Sequence, residues 1–140
     1  MKLTLYLLFI FSTTFSLAQE NLKFPIYPGC EKNKTNDKLK KCFYEKLTSE
    51  MKFGFEDQVQ FWINKKNLIQ TELLFTITSN GELTNFSYTK ESDPESAKFF
   101  LQQIYRVKKY YDSKNKKFSP ALKSGEPIDF QIRYNVVINN

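Results

Sequence analysis

The sequence predicts an α+β domain: a small antiparallel three-stranded sheet with two helices packed on one of its faces, in the order helix, hairpin, helix, strand. Three observations carry this reading. Alternating segments flank Asn80-Gly81, apolar residues recur at helical spacing after Asp93-Pro94, and the chain closes on a long alternation of apolar and polar residues.

The elements follow in order. Glu20 to Lys34 holds Pro25, Pro28 and Gly29 and has no sustained period, so it is expected to form an extended arm outside the core. From Asn36, the offsets of Leu39, Cys42, Phe43 and Leu47 are those of one helical face, with Asn36 placed to cap the helix and Cys42 on the buried side. Gly54 is expected to end that helix or bend the chain. Phe55, Val59 and Trp62 fit a further turn or two of helix, with Trp62 as a packing residue.

Thr71, Leu73, Phe75 and Ile77 alternate with Glu72, Leu74, Thr76 and Thr78, the two-residue period of a strand with one packed face. Asn80-Gly81 is a hairpin signal, since a two-residue turn asks both residues for positive φ, and Leu83 to Thr89 is the return strand. Asp93 caps the next helix, Pro94 suits its first position, and Ala97, Phe100, Leu101, Ile104 and Val107 form its apolar stripe. A lysine-rich loop with Ser119, Pro120, Gly125 and Pro127 leads to the final strand, whose Ile128, Phe130, Ile132, Tyr134, Val136 and Ile138 face the core.

The N-terminus predicts export. Lys2 precedes the apolar stretch Leu3–Phe11, and Ser16 and Ala18 put small residues where a signal peptidase reads, so residues 1–18 are expected to be removed, with cleavage after Gln19 the alternative. The stretch is shorter than the ~20 apolar residues of a membrane span and is diluted by Ser and Thr. Residues 19–140 then make one domain, located in the periplasm or secreted. Two cysteines in an exported chain are expected to pair, Cys30 with Cys42, which would contribute ~3 kcal/mol by closing a short loop. Their spacing is far from Cys-x-x-Cys, which argues against redox catalysis.

The formal net charge is +6. Its excess lies in one stretch: Arg106, Lys108, Lys109, Lys114, Lys116, Lys117 and Lys123, against the single acid Asp112. With Tyr110, Tyr111 and Phe118 interleaved, that composition suits weak contact with an anionic surface. Nucleic acid is not an expected partner of an exported chain. There is no histidine, no Gly-rich phosphate loop and no turn presenting a serine or thiol nucleophile, so neither enzymatic activity nor a cofactor or metal is expected. Glu91, Asp93 and Glu95 are read as acids at the positive end of a helix rather than as a general acid and base.

Phe24-Pro25-Ile26-Tyr27-Pro28-Gly29-Cys30-Glu31, then Lys41-Cys42-Phe43, then Leu73-Leu74-Phe75-Thr76-Ile77 with Asn80-Gly81-Glu82-Leu83, the helix after Pro94, and the loop from Phe118-Ser119-Pro120 to Ser124-Gly125-Glu126-Pro127 come in a telling order. Together they resemble the C-terminal domain of TonB-type transport proteins, in the short Pro-Gly-Cys form of exported proteins from Bacteroidetes-type bacteria. The resemblance spans Phe24 to Ile138. It divides the chain into a signal peptide (1–18), an arm with the disulfide (19–35) and a TonB C-terminal-like domain (36–140).

The resemblance implies a binding module of outer-membrane transport that takes an extended partner segment as an added strand. The partner is expected to be an outer-membrane receptor or another envelope component. The docking element is the final strand, Pro127 to Ile138, through Asp129, Gln131, Arg133, Asn135 and Val137. Shielding of that edge by lysines, or pairing in a homodimer, is the alternative. No long Pro- and Lys-rich spacer is present, so force transmission is not expected. The runner-up is a secreted cystatin-like inhibitor, or a cationic surface-binding protein.

Overall fold

A computed structural model describes residues 21–51, 56–66 and 68–139. The leader expected in residues 1–18, Gly54 and Phe55 lie outside them. The fold is α+β as expected, with more elements than the sequence reading has: three helices and two antiparallel three-stranded sheets.

The central sheet has the order β3-β2-β6, where β2 is Leu68–Ile77, β3 is Leu83–Tyr88 and β6 is Phe130–Asn139. Along β2, Ile69, Thr71, Leu73, Phe75 and Ile77 are buried, as the two-residue period requires. β6 pairs with β2 over its whole length, from Ile77↔Phe130 to Leu68↔Asn139.

The Asn80-Gly81 turn differs from the two-residue form. Only Gly81 has positive φ, at 78°. The Gly81 N–H donates to the Thr78 carbonyl and the Thr78 N–H to that of Glu82, which is a tight turn closed by a left-handed glycine. The pair of positive φ angles occurs at Ser124 and Gly125 instead, at 49° and 83°, joining β4 (Ala121–Lys123) to β5 (Glu126–Ile128). With β1 (Leu22–Lys23) these form the second sheet, β1-β4-β5.

The helices are α1 (Asn36–Met51), α2 (Glu56–Lys65) and α3 (Pro94–Ser113). Asp93 caps α3 as its sequence predicts, its carboxylate accepting from the Ser96 N–H at 3.0 Å. Burial pushes the Asp93 carboxyl up, but hydrogen bonds from Lys66 and Ser96 outweigh it and hold the group below its ordinary value. Helix α3 runs past Val107 because Tyr111 continues the Phe100, Ile104, Val107 stripe into the core, so Lys108 and Lys109 sit on the helix with Arg106. Trp62 of α2 is 1% exposed and meets Phe99 edge-on at 5.1 Å; its indole N–H has no acceptor among the described residues.

Two expectations about the N-terminal part need correction. The arm belongs to the core: Phe24, Tyr27 and Cys30 are buried, and Tyr27 meets Phe118 at 4.8 Å, Phe43 at 5.1 Å and Tyr111 at 5.7 Å. Burying a side chain such as Phe24 contributes on the order of 2 kcal/mol, which holds an irregular segment that no periodicity marks. Asn36, in turn, does not use its side chain to cap α1. Its amide accepts from the Phe24 N–H at 2.8 Å and donates to the Leu22 carbonyl at 2.6 Å, standing in for a strand beside the arm, while the Thr35 hydroxyl accepts from the Lys38 N–H. The Cys30–Cys42 disulfide ties the same arm to α1, with Cys30 buried and Cys42 half-buried.

Candidate functional site

The long strand β6 lies at the margin of its sheet, and which of its main-chain groups point outward follows from hydrogen bonds on the far side of β2. Glu72 accepts from the Thr89 N–H at 3.1 Å and Gln70 from the Asp93 N–H at 3.1 Å, so the even-numbered residues of β2 turn their main chain away from β6. Since both groups of a residue in an antiparallel ladder point the same way, the odd-numbered residues of β2 bond to β6. Their partners by register are Phe130, Ile132, Tyr134, Val136 and Ile138. The main-chain groups of Gln131, Arg133, Asn135 and Val137 therefore face the open edge.

Four of the five residues proposed for strand docking thus share one row, and their side chains are exposed on the sheet face away from the core. Asp129 does not join them. The expected continuous strand from Pro127 breaks there, because Asp129 turns its carboxylate to accept from the Ser79 N–H at 2.6 Å and ties the β5–β6 junction to the hairpin turn.

Helix α1 reaches one point of this edge. The Tyr44 hydroxyl donates to the Arg133 carbonyl at 2.8 Å, and the Tyr44 ring stacks on Tyr134 at 5.9 Å. The Tyr134 hydroxyl is in turn hydrogen-bonded to that of Thr48 at 2.6 Å. Burial, and then the neighbouring Tyr134, push the Tyr44 hydroxyl above its ordinary pKa, which keeps it a donor at neutral pH. Across the outer face, the Arg133 guanidinium pairs with Glu72 at 3.2 Å. Beyond Asn135 two exposed side chains are apolar, Val137 at 57% and Leu68 at 56% exposure, alongside the exposed Gln70 and Asn139.

Several of the seven basic residues are engaged by neighbouring side chains or caps. Lys108 is paired to Asp112 and Lys117 to Glu82. Arg106 donates to Gln103 at 3.2 Å, Lys109 lies 5.1 Å over the Tyr105 ring, Lys114 caps α3, and Lys123 sits in β4 opposite Leu22. Lys116 shares the surroundings of Glu31. Of the interleaved aromatics, Tyr111 and Phe118 are core residues and Tyr110 is exposed.

A half-buried carboxylate that joins two buried tyrosines escaped the sequence reading. Glu50, in the last turn of α1, accepts the Tyr27 hydroxyl at 2.5 Å and the Tyr111 hydroxyl at 2.6 Å, one on each oxygen. Its only trace in the sequence is an acid three residues beyond Leu47, where the buried stripe of α1 continues. With both oxygens so engaged, the cluster locks the arm, α1 and α3 together. Beside it an open groove of about 430 Å³ is lined by Gln103, Arg106, Val107 and Tyr110.

Among the described residues, no helix is long and apolar enough to cross a membrane, and no cluster of three or more His, Cys, Asp or Glu side chains is placed to hold a metal. Comparison of the chain with family models, with curated proteins and with solved structures finds no match.

Proposed function

We propose that this chain is an exported, non-enzymatic binding module, similar to the C-terminal domain of TonB-type proteins, that takes an extended segment of an envelope protein as a further strand on β6 and so serves outer-membrane transport. The observation that carries the reading is the edge itself. Among the described residues a strand of ten residues pairs on one side only, and the outward N–H and C=O groups of Gln131, Arg133, Asn135 and Val137 supply the main-chain recognition that strand addition uses. The Cys30–Cys42 disulfide is compatible with a compartment outside the cytoplasm, in line with the leader in residues 1–18. The cystatin-like alternative would close this edge and present loops; the open edge favours strand addition over it. The pairing of Lys108 with Asp112 and of Lys117 with Glu82, which offsets part of the positive charge, favours it over a cationic surface binder.

Proline at Asn135 provides the test. The Asn135 N–H is not used by β2, so the fold is expected to survive the substitution, while the edge loses a donor and gains a ring that obstructs pairing. The wild-type protein is expected to retain a partner from detergent-solubilised envelope that N135P, with an unchanged circular dichroism spectrum, does not. Equal capture of the same proteins by both would rule out strand addition on β6.

A further inference from the structure

The open edge is not uniform, because one of its acceptors is already taken. An antiparallel strand docking against Arg133 would donate its own N–H to the Arg133 carbonyl, and that oxygen holds the Tyr44 hydroxyl at 2.8 Å. The Tyr44 ring, stacked on Tyr134 and half-buried, stands beside the same position on the helical side of the sheet. Toward the end of β6 the chemistry changes. Asn135 and Val137 keep outward main-chain groups, and the β2 residues opposite them are Glu72 and Gln70. Val137 and Leu68 are diagonal neighbours there, through the pairs Gln70↔Val137 and Leu68↔Asn139. The charges near this end are paired: Arg133 with Glu72 at 3.2 Å, Glu91, which lines a groove with Gln70, Glu72 and Asn135, with Lys90 at 3.8 Å, and Asp93, whose N–H donates to Gln70, with Lys66. An added strand therefore meets a surface without net charge and with exposed apolar side chains.

We propose that Tyr44 sets the register of strand addition: the partner's segment pairs at Asn135 and Val137, is stopped at Arg133 by the Tyr44 hydroxyl, and is an uncharged stretch that lays an apolar side chain against Val137. This rests on the strand-addition reading above and adds its register, its extent and the chemistry of its partner. Tyr44 is a positioning residue in this scheme. Displacing its hydroxyl exchanges one hydrogen bond for another, and its removal turns a competed acceptor into an available one. The difference is on the order of two- to tenfold in affinity, the worth of one hydrogen bond.

The test is an amide chemical-shift titration of the 15N-labelled protein with an end-blocked peptide copying Phe130–Asn139, glutamine replacing its arginine so that the probe is uncharged. Wild type is expected to shift at Asn135 and Val137 and to leave Gln131 and Arg133 nearly unmoved. In Tyr44→Phe, which keeps the ring on Tyr134, the shifts are expected to extend to Arg133 and Gln131 with a Kd about two- to tenfold lower. Val137→Lys is expected to weaken binding in both backgrounds. Shifts along the whole edge in wild type, with Kd unchanged in Tyr44→Phe, would overturn the role of Tyr44 and leave strand addition standing. Equal binding by Val137→Lys would overturn the apolar character assigned to the partner. No shift at any β6 amide in either folded protein would remove strand addition itself, and this inference with it. Shifts at these amides on raising protein concentration without peptide would assign the edge to a second copy of the chain and overturn the proposal.

Discussion

The Tyr27 hydroxyl donates to a carboxylate oxygen of Glu50 at 2.5 Å, and this bond fastens an irregular N-terminal segment to the last turn of α1. Tyr111 of α3 donates to the other oxygen at 2.6 Å, so one carboxylate joins three parts of the chain. Glu50→Ala would leave two largely buried hydroxyls without their acceptor. It is expected to cost about 2–6 kcal/mol, since each of the two unsatisfied groups costs ~1–3 kcal/mol. Urea denaturation checks this, with Glu50→Gln expected to lose less because it keeps an acceptor.

The same cluster gives the protein an alkaline limit. Burial first, and then Glu50, push the Tyr27 hydroxyl far above its ordinary value of 10.0, and Tyr111 is raised for the same two reasons. A group whose folded pKa is raised stabilises fully below its unfolded pKa and loses that contribution as pH rises past it. Stability is therefore expected to fall above about pH 10. Urea midpoints between about pH 9 and 11 should decline more steeply in wild type than in Tyr27→Phe.

At the acid end, Asp93 works in the opposite sense. Its carboxyl is held below the ordinary 3.8, so its contribution is present above that value and is lost as pH falls through it. Asp93→Ala removes the cap of α3 and is expected to cost about 1–2 kcal/mol at neutral pH. The gap between wild type and Asp93→Ala in thermal melts should narrow as pH falls below that ordinary value and the native carboxylate also takes up a proton.

Gly81 holds a position that its sequence neighbours alone do not explain. Its φ is 78°, and a Cβ there would collide with the Phe118 carbonyl oxygen, while the Phe118 N–H donates to the Gly81 carbonyl at 3.2 Å. Gly81→Ala combines a disfavoured φ with a backbone clash, and an expected loss of more than about 1 kcal/mol follows. Thermal unfolding monitored by circular dichroism reads it directly.

Joining the arm to α1, the Cys30–Cys42 bond closes a loop over a separation of 12 residues. Replacing both cysteines with alanine is expected to destabilise the protein by about 2–4 kcal/mol, chiefly by enlarging the unfolded ensemble. Urea midpoints of the double variant and of the reduced wild type should agree; a wild type insensitive to reduction would contradict the pairing.

What the sequence made legible is what periodicity and local turn chemistry encode. The faces of β2 and β6, the start of α3 at Asp93-Pro94 and the packing role of Trp62 all follow from spacing within one element. The arm was not legible, because Phe24 and Tyr27 are buried by aromatic rings from distant segments and carry no period of their own. Nor was the break at Asp129, since alternation runs unbroken through it and only the Ser79 N–H, fifty residues away, makes it a junction. The last turns of α3 were missed although Tyr111 continues the stripe four residues after Val107; the surrounding lysines masked it. Of the candidate site, the sequence supplied the row of residues. The roles of Tyr44 and of the outward-facing amides needed the register.

The most direct measurement is amide hydrogen exchange along β6, read residue by residue. The amides of Ile132, Tyr134, Val136 and Ile138, which bond to β2, are expected to exchange slowly, and those of Gln131, Arg133, Asn135 and Val137 quickly, in strict alternation. Comparable protection of both sets in the unliganded monomer would mean that the edge is already covered, and would contradict an open docking strand.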